Sequence, residues 1–314
     1  MNVTTELPND PMIPGLIAIR ASGLARAIPA LNLEGHPVEL MLCGYTQGSR
    51  ATLEARAGNR RLAVKAYADD PSPEAALYEA LSAAGLRGDS GPRVPPLLAW
   101  ERDLRVLVIG WLQGPTTHEL IKNGQGKRAG QLAANWFQRM SSLSVKLGPS
   151  LGAAQLLDRA HGWVAALVGA DSALGTAATA LAGRLERTQP KEGAARLVHG
   201  TLYARHIFDL GDGPGVIDWQ KFGQGPVEID AAMFLATTWR LGLKQESLAR
   251  EAARAEETFL AETAGLLDKR ALAWHRAIVL LRLANKINRR PSDDWPARAH
   301  ALLGEAARLA LAAA

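Results

Sequence analysis

Three polar positions stand where apolar runs would not ordinarily admit them. Lys65 lies inside the alternating run LAVKAYA, Asp218 closes GVIDW, and the stretch HGTLYARH runs from His199 to His206. On an antiparallel strand Val64 and Ala66 point to one face and Lys65 to the other. Lys65 is then either a solvent-facing strand lysine or a fixed cation for phosphate groups. The second role needs an acid on the following helix to orient it. Glu74 and Glu79 both stand there, on different faces. Asp218 is either a hairpin end-group or a ligand for a hard cation such as Mg²⁺, which takes one or two carboxylates together with phosphate oxygens. The segment HIFDLGDGPGVIDW must turn back on itself at GDGPG. That fold brings the region around His206 beside Asp218, with VHGTLYAR over the same end. With a lysine strand in a separate small lobe, these parts make phosphoryl transfer the economical chemistry.

The elements that position these residues follow from pattern. Residues 1–35 read as a leader with a short helix and some loop. From Val38, the run VELMLCGYTQGSRATLEARAGNRRLAVKAYA alternates and carries turn signals at Gly44, Gly48 and AGNR, which predicts two or three antiparallel strands joined by hairpins. A helix starts at Ser72 and stops near Gly85. RVPPLLAW and RVLVIGWL are two short apolar runs flanking the charged turn ERDL. A small lobe therefore spans 36–114. The remainder, 115–314, is mostly helical: Leu132, Trp136, Phe137, Met140 and Leu143 keep helical spacing, and 151–188 gives one or two Ala-rich helices. Strand character returns only at ARLVHG, HIFDL and GVIDW. Most of the eight Trp residues fall at core positions.

Composition narrows the classes. A chain of 314 residues with 47% apolar content can bury a core in two domains or in one domain of two lobes. The net charge of +5 comes without any run of five or six cations, so neither a nucleic-acid patch nor a membrane patch is indicated. Cys43 is the only cysteine; no internal disulfide can form, which fits a reducing cytoplasm. The N-terminus lacks the basic and apolar regions of a signal peptide, and no apolar run reaches the ~18 residues that span a bilayer. NGQGKRAG imitates a phosphate loop, but no Ser or Thr follows its lysine and no strand precedes it.

Set in order, AVKAYA, RVPPLLAWERDLRVLVIGWLQG and LVHGTLYARHIFDLGDGPGVIDWQKFGQGPVEIDAAMF resemble the aminoglycoside phosphotransferase and choline kinase-like family. The resemblance implies an α+β, bilobal protein-kinase-like fold: a small antiparallel β-sheet lobe and a larger, mainly α-helical lobe. It implies ATP and Mg²⁺ (or Mn²⁺) as cofactors. Lys65 would contact the nucleotide phosphates, with Glu74 as the better match for its helix partner and Glu79 as the alternative. Val108, Ile109 and Trp111 would form the hinge against the adenine, and Ser49 and Arg50 are either phosphate contacts or an exposed hairpin. His199 and Gly200 would shape the catalytic loop (197–206), Asp218 in the hairpin 206–220 would hold the metal, and Asp230 would brace the site.

Two positions depart from the family pattern. Thr201 stands where the family has its catalytic Asp, and a hydroxyl accepts no proton near neutral pH, though it still hydrogen-bonds. His206 stands at the second metal position; imidazole suits Zn²⁺ or Mn²⁺ better than Mg²⁺. His206 is also, by its ordinary pKa, a group able to serve as a base. The leading expectation is an ATP-dependent phosphotransferase of a small hydroxylated molecule, a sugar or glycan precursor among the acceptors, with Thr201 in place of the catalytic Asp. The alternative is a pseudokinase that binds nucleotide or a protein partner. A polycationic aminoglycoside is disfavoured as acceptor, because 150–190 holds only Asp158, Asp171 and Glu186 as acids.

Overall fold

The computed structural model describes residues 7–289 and 293–313. The chain divides into two compact units, 1–113 and 114–314. The first unit holds two short helices, α1 (Pro14–Ser22) and α2 (Leu24–Ala27), then strands β1 (Val38–Thr46), β2 (Arg50–Ala57) and β3 (Arg60–Tyr67). Helix α3 (Ser72–Leu81) and strands β4 (Leu97–Glu101) and β5 (Val106–Gly110) complete it. The sheet is antiparallel throughout, in the order β1-β2-β3-β5-β4.

Alternation along β3 sorts its side chains onto two covered faces. Val64 and Ala66 join one cluster with Ile13, Leu16, Ile19, Leu24 and Ile28. The segment expected as a leader of short helix and loop thus supplies one wall of the core. Tyr67 lies on the other face, packed with Leu107 and with Ala75 of α3. Lys65 shares that face by strand parity. Because α3 covers it, the Lys65 side chain is buried rather than solvent-facing. Asp70 sets the start of α3: its carboxylate accepts from the Ser72 N–H at 2.9 Å, so the capping side chain precedes Ser72.

The second unit contains α4 (Thr117–Lys122), α5 (Gly126–Ser141), α6 (Ala153–Val168) and α7 (Ser172–Arg187), followed by four short strands. These are β6 (Arg196–Val198), β7 (Ile207–Asp209), β8 (Pro214–Val216) and β9 (Gly223–Gly225). Helices α8 (Glu228–Lys244), α9 (Ala249–Glu262), α10 (Lys269–Asn288) and α11 (Trp295–Ala312) close the chain. β7 and β8 form the expected hairpin, and β6 pairs with β9. Trp136, Trp219, Phe234, Phe259 and Trp274 are fully buried; Trp136 meets Trp219 with ring centroids 5.9 Å apart. Among the described residues no helix is long and apolar enough to cross a membrane.

Candidate active site

In the first unit, Lys65 Nζ lies 2.5 Å from Glu74 Oε1, and the Tyr67 hydroxyl donates to Glu74 Oε2 at 2.7 Å. The Lys65 and Glu74 side chains are only 7% and 5% exposed, so the pair is held with little competition from water. Glu74 sits in the first turn of α3, where the helix N-terminus favours a carboxylate. Glu79, the alternative partner, is exposed. Tyr67 was not foreseen, although its position two residues after Lys65 puts it on the same strand face.

Val108 and Ile109 belong to β5, where each is paired with both β3 and β4. Gly110 ends the strand, its N–H donating to Pro96 O at 2.9 Å. Trp111 follows directly, with the Arg61 guanidinium 4.1 Å from its ring centre. Arg61 is itself clamped by buried Glu54 through two bonds of 2.6 and 3.2 Å, and this guanidinium holds the Glu54 carboxyl below its usual range. Ser49 and Arg50 stand at the β1–β2 turn, Ser49 exposed and Arg50 half-buried. Asp10 pins that turn, accepting from the Gly48 N–H at 2.7 Å and from the Tyr45 hydroxyl at 2.9 Å. The Gly48 N–H draws the Asp10 carboxyl below its ordinary pKa. Nothing in the sequence around Asp10 signals this partnership, which joins residues far apart in the chain.

In the second unit, the 199–206 loop is built on buried hydrogen bonds. Both oxygens of Asp230 are used: Oδ2 accepts from the His199 N–H at 2.6 Å and Oδ1 from the Gly200 N–H at 2.9 Å. Burial pushes the Asp230 carboxyl up, opposed by His199 and these two N–H donors. Gly200 has φ +73°, and a Cβ there would stand 2.2 Å from the Lys221 carbonyl oxygen. Only glycine fits that turn. His199 donates from Nε2 to the Ile217 carbonyl at 2.9 Å, so its Nδ1 accepts from the Thr201 N–H at 3.3 Å. The Thr201 hydroxyl is 3.4 Å from the same nitrogen and the residue is 7% exposed.

His206 and Asp218 come together at the mouth of the hairpin. Asp218 has φ +70°, an uncommon backbone state for a non-glycine residue. Its Oδ2 lies 3.4 Å from His206 Nε2. His206 Nδ1 is 2.9 Å from the Thr201 carbonyl, which only accepts, so the ring proton sits on Nδ1. Burial lowers the His206 pKa to about 3, with His199 adding to the effect. The neutral ring therefore turns a lone pair, rather than a proton, toward the Asp218 carboxylate. Two lone-pair donors facing each other are the natural setting for a cation, and the N,O donor set fits a divalent metal.

Comparison with known proteins bears on the family and the fold. The family model described as phosphotransferase enzyme family matches residues 50–267, more than half of the chain, and the chain belongs to that family. Among solved structures, a thermostable mutant of aminoglycoside phosphotransferase APH(4)-Ia, in ternary complex with ADP and hygromycin B, is similar at a TM-score of 0.62 and 16% identity, over 88% of this chain and 94% of that one. Choline kinase LicA from Streptococcus pneumoniae is similar at 0.61 and 13% identity, over 89% and 96%. The aminoglycoside-3′-phosphotransferase of type VIII gives 0.54 and 19%, over 77% and 93%. No curated protein sequence matches. At these identities the likeness shows the fold, which is the protein-kinase-like α+β fold.

Proposed function

We propose that this member of the phosphotransferase family moves a phosphoryl group from ATP to the hydroxyl of a small molecule. The reading rests on the buried Lys65–Glu74 pair at 2.5 Å, because a desolvated lysine fixed by a carboxylate has no structural need that an apolar pair would not meet as well. Lys65 holds nucleotide phosphates, Glu74 and Tyr67 orient it, and the backbone that follows Gly110 is the stretch for the adenine, since Val108 and Ile109 already serve the sheet. Among the described residues no group of three or more His, Cys, Asp or Glu side chains gathers into a metal cage. Asp218 and His206 are the residues that would hold Mg²⁺ or Mn²⁺, the remaining positions being left to phosphate oxygens and water. A divalent ion there supplies neutralisation of the phosphate charge.

The proton step is the weak point of the machinery. Thr201 cannot take the acceptor's proton, and the His206 lone pair is committed toward Asp218. Phosphoryl transfer through a loose transition state depends mainly on positioning and charge stabilisation, and a general base is worth about 10²–10⁴-fold. Transfer without a base is therefore slow but available. The same observation favours a second reading, a pseudokinase that binds nucleotide, or a protein partner, without turnover.

Thermal shift with ATP plus Mg²⁺, Mn²⁺ or Zn²⁺ tests the reading on wild type, Lys65→Met and Asp218→Ala. Metal-dependent stabilisation of wild type, lost in both variants, is expected. Wild type that takes up no nucleotide under any metal sinks the proposal. Thr201→Asp then separates the two readings: it raises ATP turnover in an impaired enzyme, and leaves turnover at background in a pseudokinase whose nucleotide binding is intact.

A further inference from the structure

The wall of the second unit beyond His206 is built of cations. Tyr203, 5% exposed, meets the His206 ring edge-on with centroids 5.1 Å apart. The Arg205 guanidinium lies 4.2 Å from the Tyr203 ring centre and Lys286 Nζ lies 5.0 Å from it. Arg240, half-buried near the end of α8, lies within electrostatic reach of Tyr203, Arg205 and Arg298. Three elements thus contribute, the 199–206 loop, α8 and α10. Arg298 is neutralised by Asp294. Arg205, Arg240 and Lys286 form no ion pair with a carboxylate among the described residues.

Arg205 and Lys286 are exposed and Arg240 is half-buried, so the cost of the group is mainly the mutual repulsion of its charges, and a ligand can reach them. Burial lowers the pKa of Arg240 and of Lys286, and Arg205 pushes each further in the same direction. The Tyr203 ring and hydroxyl return only part of that cost, a cation–π contact being worth about 0.5–2 kcal/mol. Like charges gathered round one ring, with no acid among them, leave their balance to solvent or to an anionic ligand. Their place, one ring away from His206 and Asp218, makes that ligand the acceptor.

We propose that the acceptor is an anionic hydroxylated molecule, a phosphorylated or carboxylated sugar or polyol, whose charged group is bound by Arg205, Arg240 and Lys286 against Tyr203. The assignment of that ligand as acceptor rests on the phosphotransferase reading; the anion site itself does not. Neutral polyols are poor ligands on this account, and cationic ones such as choline or an aminoglycoside are repelled.

Calorimetric titration without nucleotide tests the site on its own. The probes are glucose 6-phosphate, gluconate and inorganic phosphate, with glucose and choline as neutral and cationic controls. Glucose 6-phosphate or gluconate is expected to bind at least about tenfold tighter than glucose, the size of one charge-assisted hydrogen bond. Arg205→Ala and Lys286→Ala, both at exposed positions that tolerate truncation, should each weaken it by roughly that factor, and Arg205→Glu should abolish it. Tighter binding of glucose 6-phosphate and inorganic phosphate than of gluconate assigns a phosphoryl group; the reverse assigns a carboxylate. Anions that bind no better than glucose, or that bind the variants as well as wild type, overturn the proposal. ATP binding measured separately keeps the outcomes apart. Nucleotide uptake without anion uptake removes this inference alone, and anion uptake without nucleotide removes the phosphotransferase reading alone.

Discussion

The lysine site of the first unit and the 199–206 loop of the second are both built on buried hydrogen bonds, yet they differ in which residues those bonds hold. Around Lys65 the lysine proposed to act, its carboxylate and a tyrosine are buried and bonded to one another. In the loop the scaffold is complete, with Asp230 satisfying two N–H groups and Gly200 making the turn. On the proposed reading, the positions that would handle the proton and the second metal bond are Thr201 and His206. Side chains that support the backbone are coupled to many neighbours, so changing them costs folding energy. A residue that only touches a reacting atom can change at little cost to the fold.

That contrast can be broken by substitution, and the largest effect belongs to the loop's turn. Gly200→Ala forces a Cβ into the Lys221 carbonyl at a positive φ, and should destabilise by about 4 kcal/mol. A urea midpoint near wild type would mean that the loop is not held as argued. Glu74→Gln comes next. It keeps the shape but strips the charge that balances Lys65, a loss of about 3 kcal/mol for half of a buried pair; nucleotide affinity should fall with it. Thr201→Ala removes one long contact of 3.4 Å and should move stability by less than about 1 kcal/mol. If Thr201→Ala proved as damaging as Gly200→Ala, the division between supporting and reacting positions would fail.

How far these differences were legible in the sequence depends on distance along the chain. The strand, turn and helix around Lys65 and Glu74 are local, so alternation and a helix start were enough to give both elements. Burial of Lys65 and the choice of Glu74 over Glu79 needed the packing of α3. The hairpin joining His206 to Asp218 announced itself through GDGPG. The β9 strand did not: Gly-Gln-Gly has no strand character, and its Gly223 is required because a Cβ would meet the Pro149 carbonyl at 2.5 Å. Asp10 was equally silent, since its partners at the β1–β2 turn lie in a different element. The cation group is the clearest case. Arg205, Arg240 and Lys286 each read as a scattered surface charge in a mildly basic chain, and only the packing of α8 and α10 near the loop turns three unremarkable residues into one electrostatic feature.

The effect expected to be smallest at pH 7 sharpens the comparison inside the second unit, between two buried histidines. His206 is bonded through Nδ1 and faces a carboxylate, whereas neither ring nitrogen of His275 has a hydrogen-bond partner. Burial lowers the His275 pKa to about 3. The unfolded chain takes up a proton near the ordinary histidine value of 6.5, while the folded state refuses it until about pH 3. Stability from this group is therefore complete above pH 6.5 and is lost as the pH falls toward 3, by up to about 1.4 kcal/mol per pH unit. His275→Leu removes an imidazole that makes no bonds, so at pH 7 its urea midpoint should stay close to that of wild type. At pH 4.5 it should exceed wild type, because one proton-linked loss has gone while the His206 contribution remains. Parallel pH curves for the two proteins would show that His275 is solvated after all, and would leave the histidine part of the acid limb to His206 and His118.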